Sequence, residues 1–269
     1  MDLSLSTPLT PRLLWLDEVG STNTHLVAAV NSSEGHQWED FSVVATDNQV
    51  AGKGRLGRNW TAPAGASLAV SVLLRPQTPA GRPLPPESLG WFGLLAGLAM
   101  ARACNSVLPE GKKANIKWPN DVLIGEKKVC GVLSELVVTP QGPAIVVGTG
   151  VNIALAEEDL PVPTATSLAL EGAQTTLDAL LAAYLTEFSR ITRVFVSAAG
   201  NVRSSGLLDQ VTEACSTLGK SVRVELPSGE NPVGTAIGIN EAGSLVVEMS
   251  NCAEPLVVSA GDVTHLRVI

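Results

Sequence analysis

Five extended apolar runs constrain this chain more than any other feature: Phe41 to Thr46, Ser67 to Leu74, Asn115 to Lys117, Val129 to Val138 and Ala144 to Val151. Each has the length of a strand rather than a helix, and several are too continuously apolar to face water on either side. Between and after them lie stretches with helical character at Thr22 to Val30, Glu87 to Cys104 and Leu177 to Val196. In the last, Leu177, Leu180, Leu181, Tyr184, Leu185 and Phe188 fall on one stripe, as a helix lying on a core requires. The pattern implies an α+β fold in which helices cover one side of a mixed sheet. Pro76 to Pro86 and Ala156 to Thr166 read as loops, the second mobile.

From about Leu218 the pattern changes to short strands at Ser221 to Leu226, Val233 to Ile239, Ser244 to Met249 and Leu256 to Ser259. Turns at Pro227-Ser228-Gly229 and Asn240-Glu241-Ala242-Gly243 separate them, and the spacing suits a small β-barrel. The expected division is therefore a domain over 1–217 and a smaller one over 218–269.

One segment demands an anionic ligand. In Gln49-Val50-Ala51-Gly52-Lys53-Gly54-Arg55-Leu56-Gly57-Arg58-Asn59-Trp60, three glycines alternate with three cations and an indole follows. Glycine lets backbone N–H groups approach a ligand, and Lys53, Arg55 and Arg58 supply charge for carboxylates or phosphates. The spacing Gly52-x-Gly54-x-x-Gly57 also satisfies the dinucleotide-binding fingerprint, but its context is wrong. Asp47-Asn48-Gln49 separate it from the preceding strand, no long helix follows, and no acidic residue occurs between Asp47 and Glu87. Seen alone, the segment is either a solvated basic loop or an anion-binding one.

Three more segments bear on that choice. Lys117-Trp118-Pro119-Asn120-Asp121 brings a lysine, an amide and a carboxylate to a rigid corner, a set able to hold a magnesium–phosphate group. A turn at Gly125-Glu126-Lys127-Lys128 then puts Lys128 at the start of the next strand, where a lysine taken alone is a surface residue. Gly148 and Gly150 interrupt the strand Ile145 to Ile153, which suits either a β-bulge or a close approach to the backbone. Glu18-Val19-Gly20-Ser21-Thr22-Asn23 ends in an ordinary N-cap, and a helix N-terminus is also a good anion site.

Taken in order, these segments resemble the biotin protein ligases. Ser-Thr-Asn at 21–23, the glycine-arginine loop, Lys-Trp-Pro-Asn-Asp at 117–121, the strand Lys128 to Glu135 and Gly-Thr-Gly-Val-Asn at 148–152 all follow that family's pattern. One departure is Lys53, where many members carry arginine; lysine keeps the charge without the two-donor fork.

The resemblance implies biotin and ATP as substrates, with Mg2+. Ser21, Thr22, Asn23 and Gln49 would hold biotin and its ureido ring, Gly131 and Leu133 would line its pocket, and Lys53-Gly54-Arg55 would wrap the carboxylate. Arg55 and Arg58 would face the triphosphate, with Trp60 and Asn152 flanking adenine. Asn120 and Asp121 would lie near the metal and α-phosphate. Lys128, Arg55 and Asp121 would be catalytic, Lys128 reaching both biotin and ATP. The implied reaction is formation of biotinyl-5′-AMP with release of pyrophosphate, then transfer to a lysine. That lysine would belong to the biotin carboxyl carrier domain of an acyl-CoA carboxylase or pyruvate carboxylase. The implied fold relates the larger domain to the catalytic domain of class II aminoacyl-tRNA synthetases and makes the tail Src-homology-3-like.

Composition agrees with a cytoplasmic enzyme of this kind. At 269 residues and 45% hydrophobic content the chain can bury a large core. Cys104, Cys130, Cys215 and Cys252 have no metal-binding or disulfide-framework spacing. No signal peptide or membrane span is expected. A net charge of −8 argues against a nucleic-acid partner, and only about twenty residues precede Ser21, too few for a helix-turn-helix, so a monofunctional ligase is expected. Lipoate ligases share the chemistry, but their arginine-rich motif, triple glycine and His-Asp pair are missing. A non-catalytic biotin sensor would have no use for Lys128 and Asp121.

Overall fold

Burial on both faces organises the larger sheet, and the computed structural model describes it within residues 1–226, 229–250, 254–259 and 262–265. The elements run β1 (Leu13–Trp15), α1 (Thr22–Val30), β2 (Val43–Thr46), the hairpin β3 (Gly52–Lys53) and β4 (Asn59–Trp60), and β5 (Ser67–Leu74). Then come α2 (Trp91–Asn105), β6 (Ala114–Lys117), β7 (Asp121–Ile124), β8 (Lys127–Thr139), β9 (Gly142–Asn152), α3 (Leu177–Ser197) and α4 (Leu207–Ala214). The C-terminal strands are β10 (Ser221–Glu225), β11 (Val233–Ile239), β12 (Leu245–Glu248), β13 (Leu256–Val258) and β14 (Asp262–His265).

The seven-stranded sheet has the order β1-β2-β5-β9-β8-β7-β6. Only β1 and β2 pair in parallel, so the sheet is mixed. Every residue of β5 is buried, because both faces are covered. Val70, Val72, Val147 and Val151 point to the face where α2 and α3 contribute Trp91, Phe92, Tyr184 and Phe188. Val44, Leu73 and Val146 point the other way and pack under Leu26 and Val30 of α1.

The expectation that the helices share one side is thereby corrected. The largely apolar strand Ser67–Leu74 needs cover on both faces, and α1 supplies it on the second.

Element limits shift for local reasons. Phe41 adopts a left-handed φ of 67°, so β2 starts only after it. Pro86–Ser88 forms a separate 3-10 turn, and α2 begins at Trp91. The strand at 142–152 stays in unbroken register with both neighbours, which removes the β-bulge reading of its glycines. In the loop Ala156 to Thr166, the last residues pair with strand β8: Lys128 N–H donates to Thr164 O at 2.7 Å, and Thr166 N–H donates to Lys128 O at 2.8 Å.

The C-terminal strands form a five-stranded antiparallel sheet in the order β13-β12-β11-β10-β14. Its hairpin at Asn240–Gly243 is fastened to the larger unit by two indoles. Trp91 Nε1 donates to Glu241 O at 2.7 Å and Trp118 Nε1 to Gly243 O at 2.9 Å. Pro227 and Ser228 of the other expected turn, and Cys252, lie outside the described residues. Cys104, Cys130 and Cys215 are buried and unbridged.

Candidate functional site

Sheet register builds the floor of the site. Thr46, Ala69, Gly150, Gly131, Asp121 and Lys117 are successive cross-strand partners, one from each of β2, β5, β9, β8, β7 and β6. A second row, two residues along, joins Val44, Ser71, Gly148 and Leu133. Cross-strand partners share a face, so the centre of both rows is paved by glycine, alanine and serine. The result is a trough in the sheet on the α1 side, where a cavity of ≈ 220 Å³ opens.

Two side chains occupy the room that the glycines leave. A Cβ on Gly148 would collide with Asn23 Oδ1, and one on Gly150 would stand 2.7 Å from Trp60 Cε2. The strand glycines therefore serve close approach, one of the two readings that their spacing allows. Trp60 lies along the trough with its Nε1 buried and without a hydrogen-bond partner among the described residues.

The polar end is built around the N-terminus of α1. Ser21 caps the helix, its Oγ accepting from Thr24 N–H at 3.4 Å. Gln49 Oε1 accepts from Thr22 N at 2.9 Å and lies 3.2 Å from Thr22 Oγ1. Asn23 is 4% exposed, and its amide is fully used inside the protein: Nδ2 donates to Glu135 Oε2 at 2.6 Å and to Leu133 O at 3.2 Å, while Oδ1 accepts from Ser71 Oγ at 2.6 Å. It supports the pocket wall, and both atoms of its amide are engaged inside the protein.

At the charged end, Lys128 Nζ lies 2.7 Å from Asp121 Oδ1 and 5.6 Å from the centre of the Trp60 ring. The carboxylate and the ring face both attract an ammonium, and they hold Lys128 over Gly131. Arg55 reaches across from the loop and donates to Asn120 Oδ1 at 3.2 Å, while Asn120 Nδ2 donates to Val132 O at 2.8 Å. The loop turns at Arg55–Gly57, where Leu56 is left-handed. Gly54 N–H donates to Arg58 O at 2.6 Å and closes the turn. Beneath this end, burial pushes the Cys104 thiol up to about 12 and the Cys130 thiol well above the usual range. Neither is a nucleophile at neutral pH.

Ser21, Thr22, Asn23, Gln49, Lys53, Gly54, Arg55, Arg58, Trp60, Asn120, Asp121, Lys128, Gly131 and Leu133 thus line one cavity. Asn152 does not line it: it is 4% exposed, and its Nδ2 donates to Thr166 O at 2.9 Å. Its place is behind the site, holding the segment that pairs with Lys128. The sequence reading omitted Ser71, Glu135 and the rim residues Glu225 and Thr264. Ser71 had a signal: it is the one polar residue inside the strand after its first position, two residues beyond Ala69. Glu225 and Thr264 had none, because they arrive from the C-terminal sheet.

His265 links that sheet to the charged corner. Its Nε2 lies 3.1 Å from Thr217 Oγ1, which accepts from Trp118 N–H at 3.0 Å. Burial first, then the neighbouring Lys220 and Lys117 charges, lowers its pKa to about 4.

Residues 15–152 match the biotin/lipoate A/B protein ligase family and residues 217–266 the biotin protein ligase C-terminal domain. The biotin–(acetyl-CoA-carboxylase) ligase of Mycobacterium tuberculosis is 35% identical over 256 residues, covering 93% of this chain and 87% of that protein. The biotin protein ligase of Aquifex aeolicus, solved in complex with biotin and ATP, superposes with a TM-score of 0.75 at 25% identity, over 96% of this chain and 99% of that one. The Leishmania major biotin protein ligase, solved with biotin, gives 0.60 at 25% identity, over 96% and 99%. The chain whose trough and charged corner are described above belongs to the biotin protein ligase family.

Proposed function

We propose that this chain is an ATP-dependent ligase that activates biotin as biotinyl-5′-AMP and transfers the biotinyl group to a lysine of a biotin carboxyl carrier domain. The observation that carries the proposal is the shape of the cavity. A trough floored by glycine and alanine runs from the neutral polar end at Thr22 and Gln49 to a charged end where Lys128, Asp121, Arg55 and Asn120 converge. Biotin has the matching form: a compact polar ring, an apolar chain and a carboxylate.

In the first half-reaction a biotin carboxylate oxygen attacks the α-phosphorus of ATP, and pyrophosphate leaves. Both reactants are anions, so the barrier falls only if cations meet the charge on the α-phosphate. Lys128 and Arg55 take that role, at about 3–4 kcal/mol for each well-placed donor. Arg58 faces the leaving phosphates, Lys53 the carboxylate, and Trp60 offers its ring to adenine. In the second half-reaction the neutral amine of the carrier lysine attacks the acyl carbon, AMP leaves, and the amine proton passes to an acceptor. Asp121, the carboxylate nearest Lys128, is that acceptor.

Among the described residues there is no cluster of three or more His, Cys, Asp or Glu that would hold a metal by itself. Mg2+ is held by one or two carboxylates together with substrate phosphates, and the cavity supplies a carboxylate of that kind in Asp121. Asp121, beside Asn120, is the residue that would hold it, and the ion would supply charge neutralisation on the phosphates.

The two domains are read as 1–217 and 218–269, the first related in fold to class II aminoacyl-tRNA synthetases and the second Src-homology-3-like. The carrier would belong to an acyl-CoA carboxylase or pyruvate carboxylase, in the cytoplasm. Among the described residues no helix is long and apolar enough to cross a membrane. The test is exchange of labelled pyrophosphate into ATP with Mg2+ and either biotin or lipoate. Biotin-dependent exchange is expected; exchange with lipoate alone would move the chain to the lipoate branch, and no exchange with either would refute the reading.

A further inference from the structure

Among the described residues the cavity is lined by five cations, Lys53, Arg55, Arg58, Lys117 and Lys128, but by only two carboxylates, Asp121 and Glu225. Asp121 is taken up by Lys128 Nζ at 2.7 Å. Glu225 is not paired in this way: its Oε1 accepts from Thr264 Oγ1 at 3.2 Å, and among the described residues no cation lies within ion-pair distance of it.

Strand register aims Glu225 at the cavity. Val222, Val224 and Val263 turn into the core, so the alternating residues Glu225 and Thr264 turn away from it and line the cavity. Glu225 is also exposed, within reach of a molecule outside. Its strand pair is fixed relative to the charged corner. Beside Thr264, His265 Nε2 lies 3.1 Å from Thr217 Oγ1, which takes the Trp118 N–H at 3.0 Å. At the other end of the pair, Lys220 Nζ lies 3.5 Å from Glu126 Oε1, in the turn before Lys128.

A carboxylate without a cation does not suit the nucleotide, because it repels the triphosphate that the surrounding cations attract. It suits a cation that arrives later. The acceptor lysine is one: its ordinary pKa of about 10.4 makes it an ammonium at neutral pH. It approaches a wall of like charge, and a carboxylate on the approach offsets that repulsion.

We propose that Glu225 is the docking site for the ammonium of the carrier's acceptor lysine, drawing it past the cavity cations toward the adenylate. Docking there precedes the proton transfer assigned to Asp121, so Glu225 serves the second half-reaction and not the first. The proposal rests on the ligase reading and gives the C-terminal sheet a part in selecting the nucleophile.

The test separates a charged nucleophile from a neutral one. Wild type, Glu225→Gln and Glu225→Lys are compared in biotin-dependent pyrophosphate exchange, in transfer to the carrier domain, and in conversion of biotinyl-adenylate to the hydroxamate by hydroxylamine, an amine that is uncharged at neutral pH. Glu225→Gln should lower kcat/KM for the carrier about tenfold at low salt, mainly through KM, and Glu225→Lys should lower it further. The loss should shrink as salt is added. Exchange and hydroxamate formation should stay at the wild-type rate, which also shows that the variants are folded. A purely structural role would slow the hydroxylamine and carrier reactions alike, and a role in holding Mg2+ would raise the Mg2+ needed for exchange. Either result overturns the proposal, as does unchanged transfer to the carrier in both variants. A wild type without biotin-dependent exchange overturns the ligase reading and the proposal with it.

Discussion

Lys128 Nζ and Asp121 Oδ1 lie 2.7 Å apart, on neighbouring strands at the charged end of the trough. The pair is partly exposed, and such pairs add little to stability, so its value lies in placing the ammonium over Gly131. Lys128→Met should leave the fold intact and lower biotinyl-adenylate formation by about 100-fold or more, as expected for loss of a donor to transition-state charge. Single-turnover adenylation measures this. An unchanged rate would return Lys128 to the role of an ordinary surface lysine.

Gly148 and Gly150 are predicted to fail differently on substitution by alanine. Gly148→Ala drives a Cβ into Asn23, a backbone-supported side chain with no room to retreat, and should destabilise the protein by about 1–3 kcal/mol in denaturant unfolding. Gly150→Ala displaces the Trp60 ring instead. It should shift the tryptophan fluorescence and raise the KM for ATP while stability changes less.

Much of the site was legible because its residues sit in short contiguous segments. Lys117 to Asp121 and Gln49 to Trp60 bring charge, amide and glycine together within a few positions, whatever the tertiary structure. What escaped is assembled across strands. Ser71 meets Asn23 from 48 positions away and Glu135 meets it from 112, and no local pattern encodes either meeting. The direction in which Asn152 uses its side chain, toward Thr166 O, is not legible, because a segment shows which residue types are close, not which way a side chain points. In the fold, β1 and α4 were missed for lack of length: three residues and eight are too few for periodicity to register. The two-sided cover of the sheet is present in Ser67–Leu74, which carries apolar residues on both faces of the strand, whereas the sequence reading places the helices on one face.

Asn152 offers a separate test. Its side chain holds Thr166 O, and Thr166 N–H in turn bonds Lys128 O. Asn152→Ala should loosen the 164–166 segment in hydrogen exchange and reduce the adenylation rate by roughly tenfold, with little change in biotin KM. A raised ATP KM with normal protection of 164–166 would favour direct contact with the nucleotide instead.

Arg55 is the loop cation that meets Asn120 across the cavity mouth. Arg55→Gly should weaken biotin binding, by about 1.5–3 kcal/mol for a lost charged hydrogen bond, and release biotinyl-adenylate that labels bystander lysines. Incubation with Mg-ATP, biotin, the carrier domain and an unrelated lysine-rich protein reads this out by avidin blot. Labelling confined to the carrier domain would show that another residue retains the intermediate.

The depressed His265 pKa, about 4, against about 6.5 when unfolded, fixes a pH dependence. Between these values the unfolded chain binds the proton that the folded chain refuses, so stability falls as pH drops from about 6.5 toward 4. His265→Gln should remove about 1–2 kcal/mol of that acid loss, the half-buried ring being partly screened by water. Denaturant unfolding at pH 7 and pH 4.5 supplies the comparison; equal acid loss in both proteins would assign it to other groups.

The most direct test of the account is the intact mass of a biotin carboxyl carrier domain incubated with this chain, biotin and Mg-ATP. The account predicts a gain of one biotinyl group, dependent on ATP and on the carrier's acceptor lysine, and lost with Lys128→Met at short times. A carrier of unchanged mass after incubation with the folded wild-type chain would contradict it.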